Sequence, residues 1–258
     1  MEFIKTNLKD RILTITLARS IVLNALNPEM IGEITKAFTS ASKDKNVRVI
    51  VVDAEGEIFC AGADLNWMKN SIKQTKKQNL ASANKLYEMY KSIYSSPKPV
   101  IAKIQGSAFG GGVGLIAACD VAVMTSKGTL SLSELKLGLI PSTIAPFFQR
   151  KIGLHNLKYY GLVSQKIPAE ECKRIGLIHR IAHSPEELHS KVNDYVQTFL
   201  TLSPQAITRF KKLCDDVEYL SVKKAQKKTS DEIADIRTTK EAQEGLSAFF
   251  EKRKPKWP

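Results

Sequence analysis

The fold is decided where a strand gives way to a helix, at Gly106-Ser-Ala-Phe-Gly110-Gly111-Gly112-Val-Gly114-Leu-Ile-Ala117. An apolar strand is predicted just before this segment, and the short apolar helix within it ends at Asp120. Three consecutive glycines at the start of a helix leave backbone N–H groups available to an anion or an oxyanion. Close packing of a helix on a sheet also demands small residues. The segment by itself therefore leaves a structural and a functional explanation open.

Strand and helix patterns alternate on both sides of this segment. Strands are predicted over Ile12–Leu17, Val47–Asp53, Val100–Gln105, Val121–Thr125 and Leu177–Ile181. Helices are predicted over Pro28–Lys43, Asn79–Tyr94 and Pro168–Gly176. The first of these helices has Asn27 as its N-cap and a proline at its first position. Strands that alternate with helices predict an α/β core.

The pattern changes after residue 184. Four helices follow without an intervening strand, over Pro185–Leu200, Pro204–Asp216, Val222–Ile236 and Thr239–Lys252. We therefore predict an α/β core over residues 1–184 and a helical region over residues 185–258. This helical region is too thin to bury its own apolar faces, so we expect it to pack on the core or on a neighbouring subunit.

Composition excludes several classes of protein. The chain has 258 residues, 43% of them hydrophobic and 25% charged, which is typical of soluble globular proteins and not of disordered or collagen-like ones. Its longest uncharged stretch carries five glycines within residues 104–119, so no membrane span is expected. The N-terminus lacks the pattern of a secretory or transit peptide, which indicates a cytoplasmic protein. Four widely spaced cysteines without a CxxC pair favour neither a disulfide scaffold nor a metal site.

The chain is strongly basic, with a net charge of +13. Residues 65–103 hold eight lysines and one acid, Glu88. Such a surface suits nucleic acid, a membrane surface or a phosphorylated small molecule, although an ordinary solvated surface has the same composition. A basic RNA-binding protein is therefore an alternative. Nucleic acid is not the expected partner, because no RNA-binding motif is found and few aromatic residues lie among the lysines.

Two further segments carry residues suited to chemistry. The first, Phe59-Cys-Ala61-Gly-Ala63-Asp64-Leu65, offers backbone N–H groups, but also fits a plain turn in which the aspartate caps a helix. The second, Leu130-Ser-Leu-Ser-Glu134-Leu-Lys136-Leu-Gly138, holds a glutamate in apolar surroundings. Such a setting raises the pKa of a carboxyl group and suits acid–base catalysis. A salt bridge to the nearby lysine, or a helix cap, is the competing explanation.

Two loops of backbone donors and one carboxylate could together stabilise an enolate while a proton or water moves. Their order and spacing, from Leu23-Asn24-Ala25-Leu26 to the tail Glu244-Gly-Leu-Ser-Ala-Phe-Phe-Glu-Lys252, resemble the enoyl-CoA hydratase/isomerase (crotonase) family. The resemblance covers essentially the whole chain and looks most like the bacterial methylglutaconyl-CoA hydratase branch. It implies an α/β, ClpP/crotonase-like spiral of ββα units with a C-terminal helical trimerisation region.

The resemblance also implies roles for individual residues. The oxyanion-hole donors fall on the backbone N–H groups of Ala63 and Gly111. The second of the family's two glutamates falls on Glu134, whereas the first falls on Gly114, which has no carboxylate. The residues implied to bind the substrate and its CoA moiety are Asn24, Ala25, Ala61, Asp64, Leu65, Gly110, Gly138 and Lys252. Coenzyme A enters as part of the substrate thioester, and neither a separate cofactor nor a metal is expected.

The implied activity is that of a hydro-lyase that adds water across the 2,3 double bond of an enoyl-CoA with a single catalytic glutamate. The branch suggests 3-methylglutaconyl-CoA, an intermediate of leucine degradation, as the substrate. Trp67 and Met68 are candidates for the wall of the acyl pocket, and Lys136 for a partner of the substrate's distal carboxylate. An enoyl-CoA isomerase of the same fold is the alternative. The family implies a homotrimer or a dimer of trimers, in which the helical tail completes a neighbour's CoA site.

Overall fold

Nine strands and ten α-helices make up the protein, which a computed structural model describes over all residues, 1–258. The strands are β1 (Ile4–Lys9), β2 (Ile12–Leu17), β3 (Val49–Ala54), β4 (Val100–Ile104), β5 (Ala108–Phe109), β6 (Val121–Thr125), β7 (Thr129–Ser131), β8 (Ile167–Pro168) and β9 (Arg180–Ala182). The helices are α1 (Pro28–Lys43), α2 (Leu65–Ser71), α3 (Lys76–Tyr94), α4 (Gly111–Ala118), α5 (Ala145–Val163), α6 (Ala169–Arg174), α7 (Pro185–Thr201), α8 (Pro204–Val217), α9 (Val222–Arg237) and α10 (Lys240–Phe250).

The strands form two sheets. Six of them lie in the order β1-β2-β3-β4-β6-β9, with β1 antiparallel to β2 and every other neighbouring pair parallel. The small second sheet has the order β5-β7-β8. The parallel strands β3 and β4 are almost wholly buried, as expected for strands covered on both faces. This arrangement confirms the predicted α/β class.

Helix α1 shows how local sequence sets the elements of the fold. It begins and ends where the pattern predicts, at Pro28 and Lys43, and the Asn27 side chain accepts a hydrogen bond from the Met30 N–H at 2.9 Å. Its buried residues recur at helical spacing and face the core: Met30, Ile31, Ile34, Ala37, Phe38 and Ala41.

Several elements depart from the sequence-based prediction, among them the strands β1, β5, β7 and β8, which were not predicted. Helix α5 was not predicted, because its pattern is interrupted by Gly153, whose φ of 77° and ψ of 161° kink the helix. The last predicted strand, Leu177–Ile181, forms as β9 a few residues later, at Arg180–Ala182. The apolar residues Leu177 and Ile178 before β9 are buried in the core rather than paired in the sheet.

Helix α4 occupies the centre of the core and holds the glycine-rich segment. Every residue from Gly112 to Ala118 is buried, so this helix has no solvent-facing side. It can start sharply because Gly110 adopts a φ of 46° and a ψ of −116°, a conformation that side chains disfavour. The N-terminal end of α4 lies next to β7, because the Gly110 N–H donates to the Ser131 carbonyl at 2.9 Å.

The chain divides into two compact units, Met1–Val196 and Gln197–Pro258. The boundary expected at residue 184 precedes this observed boundary. The first unit extends further because α7 carries the buried residues Leu188, Val192 and Val196, which belong to that unit. Within the second unit, α8 and α9 have no buried residue. None of the helices is both long and apolar enough to cross a membrane.

Candidate active site

The N–H of Ala63 is left available by a short parallel pairing between two loops. The Leu26 N–H donates to the Gly62 carbonyl at 2.7 Å, and the Asp64 N–H donates to the Leu26 carbonyl at 2.9 Å. In parallel pairing the residue between two bonded neighbours points its own N–H and C=O to the other side. The Ala63 N–H accordingly has no protein acceptor and faces the cavity described below.

Gly111 supplies a second free N–H beside the first. It is the opening residue of α4, and the first N–H groups of a helix have no partner within it. The loop before it is anchored, because the Gly110 N–H donates to the Ser131 carbonyl at 2.9 Å. A Cβ atom built on Gly62 would lie 3.7 Å from the Gly111 nitrogen, so the two donor-bearing loops are in contact. Two such N–H groups form an oxyanion hole when they converge on one oxygen.

Glu134 lies against the same turn. It opens a short 3-10 helix, Glu134–Leu137, which ends at Gly138 in the left-handed conformation. A Cβ atom on Gly110 would be 3.0 Å from Oε1 of this carboxyl group, and Oε2 is buried without a hydrogen-bond partner. Burial raises the pKa of Glu134, which suits a group that takes and returns a proton. The alternative salt bridge to Lys136 does not form, and that lysine is exposed.

The three groups open into one cavity of about 550 Å³, a volume suited to a small ligand. Besides these groups its lining is mostly apolar and consists of Leu26, Trp67, Leu86, Gly138, Leu139, Ile140, Pro141, Ser142, Thr143 and Ile144. A smaller cavity of about 210 Å³ shares Ala63, Trp67, Leu86 and Thr143 with it and adds Met68, Ser71, Asn79, Ser82 and Ala83. Glu134 is the sole charged residue that lines either cavity.

Gly114 lies one turn further along α4, at the position where the resemblance led us to expect the first glutamate. It is buried, and a Cβ atom there would lie 2.7 and 2.8 Å from two ring carbons of Tyr90. The same Cβ atom would come even closer to Cγ2 of Ile144. The space of a side chain at this position is therefore filled by neighbours, and the site holds one carboxylate.

Asp64 and Asn24 stabilise the loops that carry the donors. The Asp64 carboxylate accepts from the N–H groups of Asn66 and Trp67 at 2.9 and 3.3 Å and pairs with Arg19 at 3.0 Å. Burial opposes its ionisation, but these bonds outweigh that effect and lower the pKa of Asp64. Asn24 is buried and donates to the carbonyls of residues 55 and 58 at 2.8 and 2.9 Å. Both side chains are thus engaged within the protein.

The remaining predicted residues lie in different settings. The Ala61 N–H donates to the Leu23 carbonyl at 2.9 Å, and the buried Ala25 has its carbonyl bound by Arg19. Leu65 is 81% exposed at the start of α2, while Gly138 lines the larger cavity. Lys252 is exposed and follows α10 in the second compact unit.

Three residues at the site escaped the sequence-based prediction. Arg19 holds Asp64 and Ala25, Tyr90 contacts the start of α4, and Ile144 fills the space at position 114. Tyr90 and Ile144 are buried, and nothing in the sequence distinguishes them from ordinary core residues. Nothing in the linear sequence pairs Arg19 with a carboxylate 45 residues away.

Comparison with known proteins shows which family and which structures this chain is similar to. The model of the family described as enoyl-CoA hydratase/isomerase matches residues 7–258. The human protein named methylglutaconyl-CoA hydratase, mitochondrial, is 32% identical over 258 aligned positions, covering 95% of this chain and 73% of that protein.

Solved structures have the same fold. The structure of an enoyl-CoA hydratase from Shewanella pealeana is similar with a TM-score of 0.96 at 34% identity, covering 99% of this chain and 96% of the other. The structure of an enoyl-CoA hydratase from Mycobacterium smegmatis is similar with a TM-score of 0.93 at 28% identity, covering 100% and 99%. The expected crotonase fold is thereby confirmed.

Proposed function

This chain belongs to the enoyl-CoA hydratase/isomerase family, and from that premise we propose that it adds water across the 2,3 double bond of an enoyl-CoA thioester. The observation that carries the proposal is the placement of Glu134. Its unpartnered carboxyl oxygen, with a raised pKa, lies beside two free backbone N–H groups in one cavity. A carboxyl group and an oxyanion hole are what the reaction requires.

The proposed reaction follows from this arrangement. The thioester oxygen accepts hydrogen bonds from Ala63 and Gly111, which stabilise the negative charge that grows as the enolate forms. Glu134 takes a proton from a water molecule, whose oxygen bonds to Cβ. The same residue then returns the proton to Cα on the same face of the substrate. One carboxyl group thus serves in turn as base and acid, and the products balance as substrate plus water.

A panel of unsaturated acyl-CoA thioesters tests the proposal. Hydration abolishes the absorbance of the conjugated thioester and adds the mass of one water molecule. Migration of the double bond without a gain in mass would instead establish the isomerase alternative, in which Glu134 moves a proton between two carbons. Absence of turnover on every conjugated thioester would refute hydration.

The lining of the two cavities favours an uncharged acyl group. A carboxylate at the distal end of the acyl chain would meet no lysine, arginine or histidine, and Glu134 would repel it. Lys136, the expected partner of such a carboxylate, is not among the lining residues. Burial of an unpaired charge is strongly unfavourable.

A specific observation favours a second candidate substrate, 3-methylglutaconyl-CoA, because two mammalian relatives at 32% identity are named methylglutaconyl-CoA hydratase. Its uncharged isostere, 3,5-dimethylhex-2-enoyl-CoA, has an isopropyl group in place of the distal carboxylate and provides a matched probe. We expect kcat/KM for the isostere to exceed kcat/KM for 3-methylglutaconyl-CoA by at least roughly tenfold. The reverse order would assign the dicarboxylate as the substrate.

We further propose that the chain works as a homotrimer or a dimer of trimers in the cytoplasm. The second compact unit leaves large apolar side chains exposed, among them Phe210, Tyr219, Phe249 and Phe250. Contact with another subunit would cover such side chains. Lys252 would then approach the CoA phosphates of a neighbouring site. Sedimentation velocity distinguishes a monomer from these assemblies.

A further inference from the structure

Tyr90 joins the two unusual features of the site, the glycine turn and the missing glutamate. It lies on α3, is wholly buried, and packs against Phe147 with ring centroids 5.9 Å apart. Its hydroxyl donates a hydrogen bond to the Gly111 carbonyl at 2.9 Å. A buried hydroxyl therefore contacts the same residue whose N–H is a donor of the oxyanion hole.

The turn at Gly110–Gly112 needs an external restraint. Glycine has no side chain to limit its backbone, and three in succession give the opening turn of α4 unusual conformational freedom. The direction of the Gly111 N–H depends on that backbone. A hydrogen bond to the Gly111 carbonyl restricts rotation of the backbone at this residue. The carbonyl oxygen can accept this bond in addition to one within the helix.

Tyr90 also explains why position 114 is a glycine. Its ring carbons would be 2.7 and 2.8 Å from a Cβ atom there, so the ring and any side chain at 114 exclude each other. A tyrosine in this orientation is compatible with the glycine and not with the family's first glutamate. The absence of a carboxylate at position 114 and the presence of the Tyr90 hydroxyl near Gly111 therefore depend on each other.

We propose that Tyr90 is a positioning residue, which holds Gly111 so that its N–H points at the thioester oxygen. This inference rests on the proposed function, because it assigns the residue to the oxyanion hole of that reaction. Burial raises the pKa of the Tyr90 hydroxyl well above its usual range, and the Cys60 thiol and Glu134 raise it further. The hydroxyl accordingly stays protonated and remains a donor.

Tyr90→Phe removes this one hydrogen bond and keeps the ring. Loss of a single neutral hydrogen bond is small against the stability of a typical domain, so the variant folds. Tyr87→Phe is the matched control, since Tyr87 lies on the same face of α3 and also packs on Phe147, at 5.5 Å, but its hydroxyl is not bonded to Gly111. We expect kcat of Tyr90→Phe to fall about 5- to 10-fold with KM changed less than about twofold, and no change in Tyr87→Phe.

A spectroscopic readout separates positioning from a structural role. The stretching frequency of the ¹³C-labelled carbonyl of bound butyryl-CoA, which does not turn over, reports how strongly the oxyanion hole polarises it. We expect a smaller downshift in Tyr90→Phe than in the wild-type enzyme or in Tyr87→Phe. Unchanged kcat and an unchanged carbonyl shift, even with a lower Tm, would overturn the inference. This readout needs no hydration, so failure of the proposed function on the thioester panel would be recognised separately.

Discussion

Gly114→Glu adds the carboxylate that the family resemblance implies at this position, yet we expect it to damage the enzyme. Position 114 is buried inside α4, and its surroundings are already filled. A Cβ atom would lie 2.7 Å from the nearest carbon of the Tyr90 ring and in still closer contact with Ile144. Real Cβ atoms do not approach other atoms so closely, so both neighbours would have to move.

The expected magnitude follows from these contacts. Overpacking of a well-packed core costs about 1–3 kcal/mol, and burial of a carboxylate without partners adds at least about 2 kcal/mol. The free energy of unfolding should therefore fall by at least about 3 kcal/mol. For a domain of roughly 200 residues each kcal/mol shifts Tm by about 2–4 °C, so Tm should fall by more than about 6 °C.

Two further variants separate the contributions, with Tm and hydration rate measured on each. Gly114→Ala adds only the clashing methyl group and should lose an intermediate amount of stability. Gly32→Ala is the control, because Gly32 lies within α1 with no atom within 4 Å of an added Cβ, and a helical alanine should stabilise it by about 0.5–1 kcal/mol. A Gly114→Glu enzyme with wild-type Tm and faster hydration would refute the one-carboxylate account of the site.

Gly111→Pro removes one oxyanion-hole donor and should reduce kcat by about 10²–10³-fold; proline is tolerated at the first position of a helix, and circular dichroism checks the fold. Because burial raises the pKa of Glu134, the folded protein holds its proton more tightly than the unfolded chain, so stability should fall as pH rises between the two pKa values. Melting curves at about pH 4.5 and about pH 8 should show that this fall is weaker in Glu134→Gln, and equal falls would contradict the raised pKa. Lys252→Ala should raise KM in low salt with kcat nearly unchanged. Truncation after Gly245 should weaken thioester binding and also disrupt the oligomer. Unchanged thioester affinity in both variants would refute the role of the tail.

The sequence predicted the elements whose signals are local. Asn27 and Pro28 fixed the start of α1, and the spacing of its apolar residues fixed the buried face. The glycine turn and Glu134 were also found, because glycines at a helix start and a carboxyl group in apolar surroundings are visible in the chain itself. These residues converge on one cavity in the structure.

What the sequence did not predict depends on contacts between distant segments. Tyr90 has the appearance of a core residue until its hydroxyl is seen on Gly111, 21 residues away. In the sequence, glycine at position 114 indicates only that a catalytic glutamate is missing. The structure shows that Tyr90 and Ile144 fill the space that a side chain at this position would occupy. Helix α5 is a different case, since it was missed because Gly153 interrupts its helical backbone with a φ of 77° and a ψ of 161°. Tertiary packing decides the cases of Tyr90 and Gly114, and such packing leaves no local pattern in the sequence.

The central claim is that Glu134 alone performs the acid–base chemistry, and the turnover of Glu134→Gln tests it most directly. The substitution keeps the size and shape of the side chain and removes its ability to take a proton. General acid–base catalysis contributes about 10²–10⁴-fold, so kcat for hydration should fall by that factor while the circular dichroism spectrum and the affinity for a saturated acyl-CoA persist. Near wild-type turnover in a correctly folded Glu134→Gln enzyme would contradict the account.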